Sequence, residues 1–297
     1  MEQEYTSYLI DNNKTEGTIR TYILDLQCYK KWFTDTTGKE LKKLYRENIQ
    51  DYISYLRNVK KTKQGLPLKA QSINVHISSL IKFNEFLVDT ARQNDMVISK
   101  RDCLAVQKNG INPCKVTQEE VQKFRQDILE ADCRSLNDFE RIRNYCMITI
   151  FQFCGPRVSE CINIMLVDVF LDIKEIIIRR GKGDKQRTLY LNDKCISALK
   201  RYLEVRPDTD NPYLFVTRQS INTRKPMDRT TVNKIFKEFS DNITPHQERH
   251  NWATHALETH IYELHEVQYL AGHTSIASTQ IYLNPSIIKM KEKANQQ

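Results

Sequence analysis

Apolar residues return at helical spacing through most of the first third of this chain. In "TEGTIRTYILDLQCYKKWF" the positions Ile19, Tyr22, Ile23, Leu26, Tyr29, Trp32 and Phe33 fall on one face of a 3.6-residue period. "YRENIQDYISYLRNV" and "AQSINVHISSLIKFNEFLVDT" repeat that pattern, separated by a basic turn broken at Gly65 and Pro67. Residues 1–95 therefore predict a small all-helical unit. Periodicity lapses over 96–115, where Gly110, Asn112 and Pro113 suggest a linker. It returns at "VTQEEVQKF", with Thr117 as N-cap and Glu120 completing a capping box.

The second half reads as mainly helical with one interruption. "KEIIIRRGKGDKQRTLYL" carries a β-branched run, a turn with two glycines and a second strand-like run, which predicts a hairpin with a basic tip. Helical signals resume at "CISALKRYLEV" and continue to the end, broken by "PDTDNPYLF" and "RKPMD". No internal repeat or low-complexity segment is visible.

Composition changes this picture only slightly. The chain has 297 residues, of which 40% are hydrophobic and 9% aromatic, enough to bury a core in each of two domains. No run approaches the roughly 18 apolar residues of a membrane helix, and the polar start "MEQEYTSYLI" is unlike a secretory signal, so a cytoplasmic protein with no membrane partner is expected. Eight cysteines at irregular spacing, with no C-x-x-C pair, read as reduced thiols. The net charge of +8 favours an anionic partner but does not identify one.

Candidate chemistry is concentrated in "ITPHQERHNWATHALETH", which holds His246, His250, His255 and His260. Thr244 and Pro245 predict a helix start, placing His246, Arg249 and His250 on one face at i, i+3 and i+4. A cationic face at a helix N-terminus suits an anion such as a phosphate. Zinc fits poorly, because the zinc-protease pattern needs Glu directly after the first His and Glu248 comes one place late. An arginine among the ligands would also repel a metal. Elsewhere, Arg157 opens a helix after Gly155-Pro156 with Glu160 one turn on, positioned for an i, i+3 ion pair. Lys182 sits at the hairpin tip, Gly272 is a natural C-cap that leaves His273 in a bend, and Tyr282 follows nine residues later. Taken singly, each has an ordinary reading: Tyr282 as a core aromatic, Lys182 as a solvated turn residue, Arg157 as a surface ion-pair partner.

In combination the order is specific. G-x-R-V-S-E at 155–160, the Lys of G-K-G-x-K at 181–185, H-x-x-R-H at 246–250, G-H at 272–273 and Tyr282 in "TQIYLNPS" resemble the tyrosine recombinase (phage-integrase-like) family. The insertion-free layout is most similar to Xer-like members and small transposon-encoded recombinases.

That resemblance implies a mainly α fold with a small β-hairpin or sheet, in two domains forming a C-shaped clamp on DNA. Residues 1–98 would be a helical, SAM-like core-binding domain, 99–115 a linker, and 116–297 an α+β catalytic domain ending in a tail for protomer exchange. It implies that Tyr282 attacks a DNA phosphodiester to give a 3′-phosphotyrosine, with strand exchange through a Holliday junction. Arg157 and Arg249 would clamp the nonbridging oxygens, Lys182 would protonate the leaving oxygen, and His246 would take the tyrosine proton. His273 would bond the phosphate or position the nucleophile, with Glu160 and His250 in support. Neither cofactor nor metal is implied. The implied partner is double-stranded DNA with an inverted-repeat core site, bound by a homotetramer on two paired sites or together with a second recombinase. Arg20, Lys69 and Lys82 are candidate DNA contacts from charge and helical face.

Two departures from the family pattern stand out. Pro156 precedes Arg157 where Leu is common, and Glu248 lies beside Arg249, where it would either pair with that arginine or face solvent. Two other readings remain open: a type IB topoisomerase-like nicking and rejoining enzyme, and a DNA-binding protein whose catalytic site has decayed.

Overall fold

In the computed structural model, residues 1–106, 118–130, 138–179, 186–273 and 277–280 are described. The chain divides into two units, Met1–Lys108 and Asn109–Gln297. Thr117, Lys182, Tyr282 and the tail from 281 to 297 lie outside the described residues.

The first unit consists of α1 (Glu2–Asp11), α2 (Glu16–Thr37), α3 (Arg46–Asn58) and α4 (Ala70–Asp89). The periodic faces read from the sequence are the buried ones: Leu26, Tyr29 and Phe33 of α2 meet Tyr52 and Leu56 of α3 and Ile73, Ile77, Leu80 and Phe83 of α4. Aromatic rings interlock at their edges, Tyr29 on Tyr52 at 4.9 Å and Tyr5 on Phe83 at 5.1 Å between centroids. Residues 97–104 belong to this unit as well. Ile98 is buried, Asn84 Oδ1 accepts from the Val97 amide, and Asn74 exchanges two hydrogen bonds with the backbone of Leu104. Loss of helical period there marks an irregular strap held by side-chain amides rather than a chain without contacts.

The second unit is built around α6 (Asp138–Cys154), which follows α5 (Gln118–Glu130). Eleven of its residues are buried, on all sides, because α5 and two later helices, α8 (Asp193–Val205) and α10 (Pro245–Glu258), surround it. After α7 (Val158–Ile162) come β1 (Val169–Phe170), β2 (Glu175–Ile178) and β3 (Arg187–Tyr190), an antiparallel sheet in that order. The sequence predicts the β2–β3 hairpin but not β1, two residues too short to show a period. Ile176 pairs with Leu189 and Ile178 with Arg187, so Arg187 points inward beside Leu189. Just beyond Ile178, at the same end of the hairpin, Arg179 Nε reaches both oxygens of buried Asp168 at 2.7 and 2.9 Å. The helices α8 (Asp193–Val205), α9 (Arg229–Phe239), α10 (Pro245–Glu258), α11 (Leu264–Ala271) and α12 (Ala277–Gln280) complete the unit.

Cys146, Cys154, Cys161 and Cys195 are free thiols buried in this core, and burial pushes the Cys146 and Cys161 thiols up. Among the described residues, no helix is long and apolar enough to cross a membrane, and no group of three His, Cys, Asp or Glu is placed to hold a metal.

Candidate active site

Three turns bring the site together. The first ends α6. Gly155 has φ +56°, a conformation that glycine adopts without strain, and a Cβ there would lie 2.3 Å from Cε3 of Trp252. This close approach turns the Gly155 carbonyl toward α10 and launches Arg157, whose backbone N–H donates to Glu160 Oε2 at 2.8 Å. The Arg157 guanidinium donates through Nη1 to Glu160 Oε1 at 2.6 Å, the i, i+3 pair predicted from the sequence.

The second turn ends α11. Gly272, at φ +62°, caps the helix, and its amide and that of His273 return to carbonyls of the last turn. The carbonyls at this end receive three guanidiniums. Leu270 O accepts from Arg187 Nη1, Ala271 O from Arg249 Nη2, and Gly272 O from Arg157 Nη2 at 2.8 Å. A helix C-terminus carries partial negative charge and unbonded carbonyls, so it suits cations in this arrangement.

The third element is α10. Thr244 accepts from the Gln247 amide and Pro245 occupies the first turn, as the sequence predicts. Arg249 is only 4% exposed; its Nη1 donates to Gly155 O at 2.6 Å, and its Nη2 lies 3.1 Å from His273 Nε2. The expected common face is therefore graded in depth: His246 is exposed, His250 half-buried and Arg249 buried. Of the two positions expected for Glu248, the solvent-facing one is excluded, because the residue is 1% exposed. Burial lifts its pKa to about 7, against smaller lowering effects from Asn251 and Arg125.

Electrostatics follow from this packing. Burial alone would raise the Glu160 pKa, but the Arg187 charge and the hydrogen bonds from Arg187 and Arg157 outweigh it, and Glu160 stays ionised below the usual range. Burial, then Arg249, Arg157 and Arg187, lower the His273 pKa to about 4. His273 is thus neutral near pH 7. An arginine can only donate, so Nε2 accepts from Arg249 and Nδ1–H donates to Thr279 Oγ1 at 2.9 Å. Burial also lowers the His250 pKa, with a smaller effect of the same sign from His246.

The structure thus brings Arg157, Glu160, Arg249 and His273 together and sets His246 one helical turn from Arg249. Lys182 and Tyr282 fall outside the described residues. Arg20 and Lys69 are exposed on the first unit, whereas Lys82 is engaged with Glu85 at 2.7 Å and lies over the Tyr8 ring. Sequence reasoning missed Arg187. The signal was present: period-2 alternation in "RTLY" places it on the inward face with Leu189, where an arginine needs a buried acceptor.

Comparison with known proteins gives the family. Residues 116–287 match the phage integrase family, and residues 3–91 match the phage integrase N-terminal SAM-like domain. The chain is 42% identical over 295 residues to the TnP I resolvase of Bacillus thuringiensis, covering 98% of this chain and 97% of that protein. It is 30% identical over 297 residues to tyrosine recombinase XerA of Pyrococcus furiosus, covering 98% and 91%. Among solved structures, XerH site-specific recombinase bound to a palindromic difH substrate superposes with a TM-score of 0.70 at 23% identity, covering 93% of this chain and 78% of that one. By its two matched domains and its full-length relatives, the chain belongs to the phage integrase family and is a tyrosine recombinase.

Proposed function

We propose that this recombinase cuts double-stranded DNA at an inverted-repeat core site through Tyr282 and exchanges strands between two sites held in a homotetramer. The observation that carries the reading is the charge of the cluster. Arg157, Arg187 and Arg249 against the single carboxylate of Glu160, with His273 neutral, leave a net charge of +2. A phosphodiester attacked by an oxygen nucleophile gathers a second negative charge on its nonbridging oxygens, and preorganised donors at that point lower the barrier. Arg157 and Arg249 supply those donors.

In this scheme the Tyr282 oxygen attacks phosphorus, the 5′ oxygen leaves, and a 3′-phosphotyrosine keeps the energy of the broken bond for rejoining. Lys182 protonates the leaving oxygen, and His246, exposed at the start of α10, takes the tyrosine proton. His273 bonds a nonbridging oxygen once its proton sits on Nε2, with the Thr279 hydroxyl then donating to Nδ1. The chemistry needs neither ATP nor a cofactor, and it takes place in the cytoplasm. Arg20 and Lys69 contact the DNA backbone. The tail beyond Pro285 docks on a neighbouring protomer, so removing residues 286–297 should abolish cooperative assembly and spare single-site binding.

Within the family, the TnP I resolvase relative at 42% identity supports resolution of a mobile element as the outcome. The test is a plasmid carrying two directly repeated copies of the DNA flanking the gene. The purified chain should separate it into two circles without ATP. Relaxation of any supercoiled plasmid at the same rate, with no separated circles, would favour a topoisomerase-like activity instead.

A further inference from the structure

Arg187 touches Glu160 and the end of α11 that hold the clamp, yet it is itself buried. It is 5% exposed, on the inward face of β3, with Leu189 as its neighbour on that face. Its Nη2 donates to Glu160 Oε2 at 2.6 Å and its Nη1 to Leu270 O. Its Cδ and Nε would lie 3.1 and 3.3 Å from a Cβ placed on Gly272. An arginine so enclosed is expensive to desolvate and persists only where its acceptors are fixed.

The division of Glu160 between two arginines gives this position a chemical consequence. One carboxylate oxygen takes the Arg157 guanidinium, and the other takes the Arg187 guanidinium beside the Arg157 backbone N–H. Without Arg187, its place on Oε2 would be open to the Arg157 guanidinium, which already holds Oε1. A guanidinium and a carboxylate then settle into a bidentate fork, which offsets the arginine's charge and commits two of its N–H groups to the carboxylate. Arg187 also fixes Leu270 O, and the next two carbonyls hold Arg249 and Arg157.

We infer that Arg187 is a positioning residue for phosphodiester cleavage: it occupies half of Glu160 and the end of α11, so that Arg157 and Arg249 present their charge to the scissile phosphate. This rests on the proposed cleavage chemistry and goes beyond it. The distinguishing readout is charge on the substrate. Replacing a nonbridging oxygen of the scissile phosphate by a methyl group removes the negative charge that the clamp serves, so the ratio of cleavage rates on phosphate and methylphosphonate substrates reports how well positive charge is placed.

Covalent-adduct formation is measured on both substrates for wild type, Arg157→Ala, Arg187→Met and Tyr282→Phe. Arg187→Met is expected to lower the phosphate-to-methylphosphonate ratio in the same direction as Arg157→Ala, by about 10²-fold, the scale of an ångström of misplacement at a reacting group. A ratio unchanged from wild type, with both rates falling together or neither falling, overturns the inference. Arg187→Lys, which keeps a charge in place but cannot fork to two acceptors, is read by the same ratio if the methionine variant does not fold. Failure of both variants to fold would assign the residue to the fold alone and likewise overturn it. An adduct from Tyr282→Phe equal to that of wild type would instead refute the cleavage reading, independently of Arg187.

Discussion

Arg249 and Arg157, 92 positions apart in the chain, are anchored on consecutive carbonyls of one helix end, Ala271 O and Gly272 O. Gly272 makes this possible through its positive φ and its missing side chain. A Cβ there would stand 3.1 Å from Arg187 Cδ and 3.3 Å from Arg157 Nη1. Gly272→Ala is therefore expected to cost about 1–2 kcal/mol of stability from the left-handed backbone. Cleavage should fall more than that stability loss explains, by about 10²-fold, because both arginines shift with the helix end. Urea denaturation and adduct-formation rates on the same preparation check the two effects separately.

His273 should behave as a neutral hydrogen-bonding group and not as a titrating one. Its pKa near 4 lies below the ordinary 6.5, so the unfolded chain takes up the proton more readily than the folded one. The contribution of this group to stability is present above pH 6.5 and is lost as pH falls toward about 4. Nitrogen chemical shifts of His273 should show the Nδ1–H tautomer, with no midpoint between about pH 5 and 8. Thr279→Val, which removes the acceptor from Nδ1–H, should weaken this tautomer and slow cleavage by less than about tenfold, the scale of one neutral hydrogen bond.

Glu248 gives a stability signature of opposite sign. Its folded pKa of about 7 exceeds the ordinary 4.5, so the folded state holds the proton more tightly. Its contribution is complete below pH 4.5 and is lost as pH rises through about 7, a change on the order of 3 kcal/mol. Glu248→Gln, neutral at every pH, should flatten stability across that window and raise it at alkaline pH. Thermal unfolding against pH for the two proteins measures this directly.

What the sequence revealed, and what it hid, followed from the range of each signal. Helices of the first unit were legible because each has one apolar face, and the caps at Thr244 and Gly272 were legible because capping is local. The Arg157–Glu160 pair was readable from i, i+3 spacing alone. For Arg187 only the inward direction was readable, from alternation in β3; its partners, Glu160 and Leu270, lie 27 and 83 residues away and were not. Glu248 misled because a glutamate in a polar segment reads as exposed, whereas α10 packs that side against the rest of the second unit. The strap at 97–104 misled similarly, as side-chain amides from α4 hold a segment that has no period of its own.

The central claim is that this cluster serves a covalent attack by Tyr282. A DNA suicide substrate, nicked close to the cleavage point so that the freed strand diffuses away, is incubated with wild type and with Tyr282→Phe. The wild-type chain should accumulate a denaturation-resistant protein–DNA adduct whose peptide map places the 3′-phosphate on Tyr282, and the phenylalanine variant should form none. An equal adduct from Tyr282→Phe, or attachment at another residue, would contradict the account.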